Sequence, residues 1–433
     1  MREIPFGAAD ALHHLSGGRV ADDVRIQAGI HAVLKEQAAH GHIGVSMERL
    51  VVLLGERLCV NSTVLPSLSS HLHPKIAVEQ KGQIVLAEVV RQLKEVERCL
   101  ATNQMQLTDY DDPRLRQLLS HKYTVLTGSA GSGKTQLLRQ VIDACHQDGL
   151  RVAVTATTGK AASLLGAEGQ TVHRLLNFGP EGFSRRILSN DVVLVDEGSM
   201  LTLPVLVALL RVVRGILIIS GDPGQLPPVH GISVFGYLLE RLPVLQLERI
   251  AAIRGGKGFT PPVYTFQHHS IESVLQQLDQ EIQAARGRGK LVQVLSPVKE
   301  SSLGMHELNR WLQMKMNPQG AFLTEKFRLA DPVIVLRNDY DLPVPVLNGQ
   351  TGVVTGLQEG RIVLRLNSGV EALVSESNLD LAYCMTVHKA QGSRFPVVIF
   401  VIPEKEYKSF TCDKRLRYVG RTRGLDKTVC LVH

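Results

Sequence analysis

The sequence of 433 residues lacks any apolar run of about 18 residues, the length that a helix needs to cross a bilayer. Met1 to Pro5 open the chain without the long apolar region of a signal peptide. The six cysteines are scattered without a Cys-x-x-Cys pair, which argues against a zinc ribbon, an iron–sulfur site or a disulfide framework. We therefore expect a soluble protein of the reducing cytoplasm, with no membrane partner.

The composition is that of a globular protein with a basic surface. Hydrophobic residues make up 44% of the chain, enough to build the cores of about two to four domains. The net charge of +7 suits a polyanionic partner. Since many basic proteins bind no nucleic acid, the charge alone leaves the partner open.

Residues 1–105 are predicted to form an N-terminal helical domain. Helical apolar spacing runs through residues 21–41 and 46–58, and two short β-like runs around Lys81-Gly82 precede a long helix. Helices followed by a small hairpin suggest a winged-helix-like module. A DNA-contacting role and a purely structural cap both fit this pattern.

The rest of the chain predicts an α/β fold. Short β-rich runs at 124–127, 152–155, 192–195 and 216–220 alternate with helical segments, the pattern of a parallel sheet covered by helices. Further buried strands are predicted in LVQVLSP, VVIFVI and TVCLVH, with a small β-barrel of short strands between them. The predicted domains are 106–243, then 244–325 together with 381–433, and an insertion at 326–380. Residues 255–262 are the candidate linker.

A phosphate-binding loop follows the first of these strands. The stretch GSAGSGKT fits G-x-x-x-x-G-K-[ST] between a strand and a helix. Its glycines let backbone N–H groups surround phosphate oxygens, and the helix dipole adds to the attraction. We expect the lysine to reach the β- and γ-phosphates and the threonine hydroxyl to bind Mg²⁺. The predicted nucleotide-binding residues of this loop are Gly128, Ser129, Ala130, Gly131, Ser132, Gly133, Lys134 and Thr135.

Two further strand ends carry polar residues suited to the same site. In DVVLVDEGSM, Asp196 is predicted to hold the metal and Glu197 to polarise an attacking water. In LIISGDPGQLPPV, Gln225 lies on a loop stiffened by proline and is predicted to sense the γ-phosphate. An ordinary turn capped by Asp222 is the alternative for that loop.

The order of the motifs GSAGSGKT, TATTGKAA, VDEGSM, GDPGQLPPV, MTVHKAQGS and YVGRTRG resembles that of superfamily 1 DNA helicases. More narrowly, it resembles their 5′→3′, RecD-like branch, which includes the exodeoxyribonuclease V alpha-like proteins, over roughly residues 23–433. The resemblance implies two RecA-like P-loop motor domains, with ATP and Mg²⁺ between them and single-stranded DNA across their top. It also implies that the insertion, opened by RNDYDLPVPVLNGQTGVV, is an SH3-like barrel.

The resemblance also implies roles for individual residues. Hydroxyls, a helix N-terminus and cations can follow a DNA backbone without reading its bases. Alone, Lys160 would read as a solvated surface charge, and His173 as either a base-stacking or a core histidine. The implied DNA contacts are Thr157, Gly159, Lys160, His173, Asn348, Thr386, His388 and Lys389.

Three more features follow from the same resemblance. Arg423 matches the arginine finger, with Arg421 as its rival, and Gly392 is an implied nucleotide contact. Residues 177–187 have hairpin chemistry and fall where relatives carry a strand-separating pin, although a bare hairpin fits equally well.

The sequence departs from the family pattern at two motifs. The segment LTDYDDPRL contains no glutamine to recognise adenine, and LQLERIAAIRGG lacks the Phe-Arg-Gln motif whose arginine contacts the γ-phosphate. Arg249 and Arg254 are candidates for that arginine, and neither aligns cleanly. The N-terminus is also short, so only a remnant of upstream helix-hairpin-helix repeats fits in residues 1–22.

The leading expectation is an ATP-driven 5′→3′ DNA helicase or translocase, acting as a monomer on single-stranded DNA and on junctions with duplex DNA. One alternative is a nucleotide-switched DNA-binding module that hydrolyses slowly. Another is a motor subunit that needs a partner chain, because no nuclease metal cluster is evident in the sequence. DNA repair, recombination, conjugation and phage replication are all compatible pathways.

Overall fold

The computed structural model describes residues 23–59, 68–103, 110–166, 168–248, 261–404 and 414–433. Two parallel β-sheets with flanking helices form the larger part of this chain, which confirms the predicted α/β class. Arg249, Arg254, most of the candidate linker and residues 1–22 lie outside the described residues. Within them, no helix combines the length and apolarity needed to cross a bilayer.

The N-terminal segment, residues 23–103, builds helices around a small antiparallel sheet. The predicted pair of β-like runs forms the hairpin β2–β3, and β3 also pairs with β1. Ser46 caps the second helix by accepting a hydrogen bond from the backbone N–H of Arg49 (3.3 Å). The elements are α1 (Asp23–Ala39), β1 (Gly44–Val45), α2 (Met47–Leu58), β2 (Ala77–Gln80), β3 (Gln83–Leu86) and α3 (Ala87–Leu100).

The first parallel sheet contains the four strands predicted from the alternating pattern, together with two shorter ones. Its order is β11-β4-β10-β9-β5-β6, and every residue of β4, β5, β9 and β10 is buried. Such strands read as continuous apolar runs because both faces of the sheet are covered. The strands are β4 (Tyr123–Gly128), β5 (Val152–Ala156), β6 (Gln170–Thr171), β9 (Val192–Asp196), β10 (Ile216–Gly221) and β11 (Val244–Leu247).

Helices and one two-stranded hairpin connect these strands. The hairpin pairs β7 (Phe178–Gly179) with β8 (Gly182–Phe183), at the position where hairpin chemistry was predicted. The helices are α4 (Pro113–Leu119), α5 (Lys134–Gln147), α6 (Gly159–Leu164), α7 (Val172–Leu175), α8 (Leu203–Val212) and α9 (Phe235–Arg241).

The second parallel sheet has the order β12-β21-β20-β13-β19. Asn309 fixes its last strand, because its amide bonds the backbone N–H and C=O of Cys384 (2.8 and 3.0 Å). The edge strand β12 was not predicted. The elements are β12 (Val263–Gln267), α10 (Ile271–Arg286), β13 (Val292–Ser296), α11 (Met305–Met316), β19 (Cys384–Thr386), β20 (Phe395–Ile402), α12 (Lys414–Arg421) and β21 (Gly424–Val432).

An antiparallel sheet of five strands is inserted between α11 and β19. Its order is β17-β16-β15-β14-β18, and the four runs predicted there correspond to its first four strands in the chain. Asp331, which is fully buried, joins this sheet to the second parallel sheet by accepting a hydrogen bond from the Tyr383 hydroxyl (2.8 Å). The strands are β14 (Pro332–Val335), β15 (Thr351–Gln358), β16 (Arg361–Leu366), β17 (Glu371–Val374) and β18 (Leu379–Leu381).

Gly420 in α12 is expected to tolerate no larger residue. A Cβ at this position would lie 2.6 Å from Cε1 of the fully buried Phe400 ring. Gly420→Ala should therefore lower the free energy of unfolding by about 1–3 kcal/mol through overpacking. Chemical denaturation measures the change.

Gly236 in α9 supplies the matched control, because nothing lies within 4 Å of the Cβ that alanine would add there. Alanine favours helix over glycine, so Gly236→Ala should leave stability unchanged or raise it by up to about 1 kcal/mol. Equal destabilisation by both substitutions would contradict the packing argument.

Candidate functional site

The loop between β4 and α5 has the backbone shape that a phosphate cradle requires. Gly131 and Gly133 have φ values of +86° and +90°, a conformation that residues with side chains seldom adopt. The loop leads into α5, so its N–H groups and the helix N-terminus face the same space.

Lys134 turns back onto this loop. Its Nζ donates to the backbone carbonyls of Gly128 (2.5 Å) and Ser129 (3.2 Å). Burial lowers the pKa of Lys134, and the carboxylates of Asp222, Glu197 and Asp196 oppose that shift. The ammonium group therefore lies in a partly desolvated position next to three acids.

Asp196 and Thr135 come together at the end of β9. The Thr135 hydroxyl donates to Oδ2 of Asp196 (3.4 Å), and Asp196 is 7% exposed. A hydroxyl and a carboxylate are hard oxygen donors, and Mg²⁺ typically takes only one or two protein ligands beside water and phosphate oxygens. The pair fits Mg²⁺, whereas no group of three or more potential metal ligands exists among the residues that the structure describes.

Glu197 follows Asp196 in a left-handed backbone conformation, with φ of +54°. Burial raises the pKa of Glu197 to about 7, with a further contribution from the neighbouring charge of Asp196 and opposition from Arg423 and Lys134. A carboxyl group tuned in this way can exchange a proton near neutral pH.

The second parallel sheet supplies the opposite wall of the same cleft. Arg423 is 3% exposed, and its guanidinium donates to the carbonyls of Val419 (3.1 Å) and Ser393 (3.4 Å). Arg421 points elsewhere and donates to Thr265 of β12 (3.4 Å). Of the two rival arginines, the structure brings Arg423 into the cleft.

The cleft has a volume of about 590 Å³. It brings together the predicted catalytic residues and much of the phosphate loop, and it adds residues that were not predicted. The lining residues are Ala130, Gly131, Gly133, Lys134, Thr135, Gln136, Lys160, Ala161, Leu164, Asp196, Glu197, Gln225, Gly392, Ser393, Arg394, Arg423 and Leu425.

Sequence reasoning missed Tyr418. Its hydroxyl donates to Oδ2 of Asp222 (3.0 Å) and accepts from the backbone N–H of Ala130 (3.2 Å), so it bridges the two walls. A Cβ on Gly224 would lie 3.1 Å from the Tyr418 ring. Its place in YVGRTRG, with Arg423, is the signal that could have identified it.

Of the predicted DNA contacts at and just before the start of α6, one lines the cleft and two contact residues next to it. The Thr157 hydroxyl donates to the carbonyl of Glu197 (3.0 Å). Gly159 faces Leu347, whose side chain lies 3.3 Å from the position of an added Cβ. Lys160 lines the cleft itself, 5.8 Å from the centre of the Phe395 ring, and burial lowers its pKa.

Two groups of predicted DNA contacts lie on other elements. Thr386 ends β19, and its hydroxyl accepts from the backbone N–H of Lys389 (3.3 Å), with His388 partly buried between them. Burial lowers the pKa of Lys389. Asn348 is exposed on the loop before β15, directly after the Leu347 that faces Gly159.

His173 belongs to an aromatic cluster at the base of the hairpin. Its ring centroid lies 5.3 Å from that of Phe178 and 5.9 Å from that of Phe183. Phe178 remains 56% exposed, so the hairpin presents an apolar face to solvent. Arg174 lies over the Tyr340 ring (5.6 Å) and links this region to the inserted segment.

Two protein families match parts of this chain. Residues 106–256 match the family model of an AAA domain, and residues 381–429 match that of a UvrD-like helicase C-terminal domain. The ATP-dependent RecD2 DNA helicase of Deinococcus radiodurans is 30% identical, over 98% of this chain and 68% of that protein.

Two other similarities are weaker. The RecBCD enzyme subunit RecD of Mycolicibacterium smegmatis is 26% identical, over 71% of this chain and 67% of that protein. The crystal structure of Bacteroides Pif1 bound to single-stranded DNA is 18% identical, with a TM-score of 0.47, over 75% of this chain and 92% of that one.

The hydroxyl of Tyr418 is expected to stabilise the packing of the two walls. Tyr418→Phe keeps the ring against Gly224 and removes both hydrogen bonds of the hydroxyl. The free energy of unfolding should fall by about 1–2 kcal/mol, because the Asp222 carboxylate loses a buried donor. Denaturant titration measures the loss.

Tyr264→Phe is the control, since Tyr264 is 47% exposed on the edge strand β12. It should leave stability unchanged. If Tyr418→Phe were equally silent, its hydroxyl would contribute nothing to the contact between the walls.

Proposed function

Because the chain belongs to the RecD-like family of DNA helicases, we propose that it is an ATP-dependent 5′→3′ DNA helicase or translocase. The observation that carries this proposal is the cleft in which the phosphate loop of one parallel sheet faces Arg423 of the other. A nucleotide held between two such walls can draw them together when it binds and release them after hydrolysis. The 5′→3′ direction rests on the family resemblance.

On the first wall, Lys134 is the residue that neutralises the β- and γ-phosphates. It must exchange the carbonyls of Gly128 and Ser129 for phosphate oxygens, which better satisfy a buried ammonium group. Thr135 and Asp196 would hold Mg²⁺, which supplies charge neutralisation to the phosphates when bound. Glu197 orients and deprotonates the attacking water.

On the facing wall, Arg423 is the arginine finger. A permanently charged planar fork suits the charge that develops on the transferred phosphoryl group. Gln225, on the loop after β10 of the first wall, is the candidate γ-phosphate sensor, since its Oε1 is buried and has no hydrogen-bond partner among the described residues. An amide oxygen without a donor can accept a hydrogen bond from the attacking water.

The DNA path is proposed to cross both walls. Thr157 and Gly159 contact the strand from the first, and Thr386, His388 and Lys389 from the second. The Thr157 hydroxyl donates a hydrogen bond to the carbonyl of Glu197. A shift of the Glu197 backbone therefore reaches the proposed DNA contact of Thr157 through one hydrogen bond. Asn348 lies beside the same path. Lys160 lines the cleft, so its contact with DNA requires the side chain to move outward.

The remaining segments are assigned by their topology. The order of elements in residues 23–100, with the sheet order β1-β3-β2, supports a winged-helix-like N-terminal domain. The five antiparallel strands between Pro332 and Leu381 support an SH3-like barrel inserted into the second RecA-like domain. We propose the domain boundaries 1–105, 106–243, 244–325 with 381–433, and 326–380.

A second candidate is a motor subunit that needs a partner chain, because one relative is named as a subunit of the RecBCD enzyme. Both candidates hydrolyse ATP in the cleft. Only the autonomous motor separates strands on its own.

ATP hydrolysis by the purified chain is expected to rise strongly when single-stranded DNA is added. Lys134→Ala should abolish this activity, with a loss of at least about 100-fold. Arg423→Ala should lower turnover by about 1,000-fold, because the finger stabilises the transition state. The rate of phosphate release, with and without a single-stranded oligonucleotide, is measured for the unmodified chain and for both variants.

Arg421→Ala is the matched control, since Arg421 bonds Thr265 outside the cleft and should retain the turnover of the unmodified chain. Duplexes with a 5′ or a 3′ tail then test direction. DNA binding without stimulated ATP hydrolysis would contradict the proposal that the chain is a motor. Stimulated hydrolysis without unwinding would favour the partner-dependent subunit.

The exposed hairpin residue Phe178 is proposed to act as part of a strand-separating pin. Phe178→Ala removes an aromatic surface on which a base can stack, which should slow unwinding by about 10-fold. Hydrolysis stimulated by single-stranded DNA should remain, because Phe178 does not line the cleft. The two rates are compared on one preparation.

Phe322, which is 66% exposed in the segment between α11 and β14, provides a matched aromatic control for this test. Phe322→Ala should leave both rates unchanged. Parallel loss of hydrolysis and unwinding in Phe178→Ala would mean that the hairpin acts on stability instead of on strand separation.

A further inference from the structure

We propose that Arg394 is a phosphate-binding residue of the cleft, whose guanidinium contacts the phosphate chain of the nucleoside triphosphate from the wall opposite Lys134. This inference rests on the proposed function, since it requires ATP in the cleft. It adds a cation that the sequence motifs did not indicate.

The geometry places Arg394 directly over the phosphate loop. Its two terminal guanidinium nitrogens lie 3.2 and 3.4 Å from the position that a Cβ would take on Gly131. Any side chain at Gly131 would therefore push the guanidinium away. The glycine permits both the left-handed turn of the loop and the close approach of an arginine from the other sheet.

Charge repulsion within the cleft points to a polyanionic ligand. Arg394 lines the same cleft as Lys134 and Arg423, so three cations are near one another. Bringing like charges together in a partly desolvated cleft costs free energy. A triphosphate chain, which carries several negative charges, offsets that cost.

Unpaired buried polar atoms give an independent indication of a ligand. Gln225 and Ser393 line the cleft and are 5% and 3% exposed, and within the part of the chain that the structure describes, Oε1 of Gln225 and Oγ of Ser393 have no hydrogen-bond partner. Leaving such groups unpaired is costly unless a polar ligand meets them. Ser393 belongs to the wall that carries Arg394, and its hydroxyl can donate to a phosphate oxygen, whereas Gln225 lies on the facing wall, on the loop after β10.

Arg394 is also held close to the arginine finger. The carbonyl of Ser393, the preceding residue, accepts a hydrogen bond from the Arg423 guanidinium (3.4 Å). Arg394 directly precedes β20 and Arg423 directly precedes β21, so this hydrogen bond joins the starts of two neighbouring strands that both face the loop. Since a guanidinium fork binds phosphate oxygens in pairs, the phosphate chain is the part of the nucleotide that this arrangement recognises.

The test compares Arg394→Ala, Arg394→Lys and the control Arg361→Ala in the full chain. Arg361 is exposed at the start of β16 and has the same charge. Calorimetric titration with magnesium and a non-hydrolysable ATP analogue should show a loss of about 10- to 100-fold for Arg394→Ala. Arg394→Lys, a point charge without the fork, should lose less, and Arg361→Ala should bind as the unmodified chain does.

Inorganic tripolyphosphate, which has no nucleoside, identifies the part of the ligand that Arg394 contacts. Arg394→Ala should weaken tripolyphosphate binding by a factor similar to that for the analogue. A loss confined to the nucleotide would assign Arg394 to the ribose or base and overturn the proposal. Unchanged affinity for the analogue would also overturn it. Thermal unfolding without ligand should show no loss of stability in any variant, which separates a lost contact from a folding defect.

The binding measurement does not depend on hydrolysis. If the unmodified chain binds the analogue but DNA does not stimulate turnover, the motor proposal fails while Arg394 can still be assigned. If DNA stimulates turnover and Arg394→Ala binds normally, the assignment of Arg394 fails and the motor proposal remains.

Discussion

The cleft depends on one electrostatic constraint: buried cations from two different sheets share one set of carboxylates. Lys134 from the first wall and Arg423 from the second are both stabilised in their charged forms by Glu197 and Asp222. Neither cation could be desolvated alone without a large cost. The charges that hold the two walls together are therefore also charges that suit a phosphate ligand. The same residues form the candidate site and the contact between the two sheets.

This sharing explains how a chemical change in the cleft can move the walls. Tyr418 bonds Asp222 and the Ala130 N–H, so it occupies an amide of the very loop that is shaped for phosphate. In the proposed function, phosphate oxygens would compete for that amide, and a change there would reach α12 through Tyr418. Thr157 links the carbonyl of Glu197 to the start of α6 in the same way. The proposed coupling needs no long pathway, only these single hydrogen bonds.

The sequence predicts those parts of the fold and site that depend on neighbouring residues. The four strands of the first sheet were predicted because fully buried strands are continuous apolar runs. Asp196 could be matched to Thr135 because parallel strands end at the same edge of a sheet. Tyr418 and Ala130 are 288 residues apart, and nothing local in either segment predicts their contact. The edge strand β12 is exposed at every position, so it lacked the alternation that marks a half-buried strand.

The basic composition has a different meaning once the burial of individual cations is known. A net charge of +7 suggested a surface for a polyanion, but Lys134, Lys160 and Arg423 all lie in or beside the cleft, where burial lowers their pKa. Surface charges attract a polyanion at long range and are screened by salt. Buried cations are screened much less and hold their ligand through direct contacts. The charge that binds the nucleotide is thus distinct from the surface charge that would attract DNA, and salt should weaken DNA binding more than nucleotide binding.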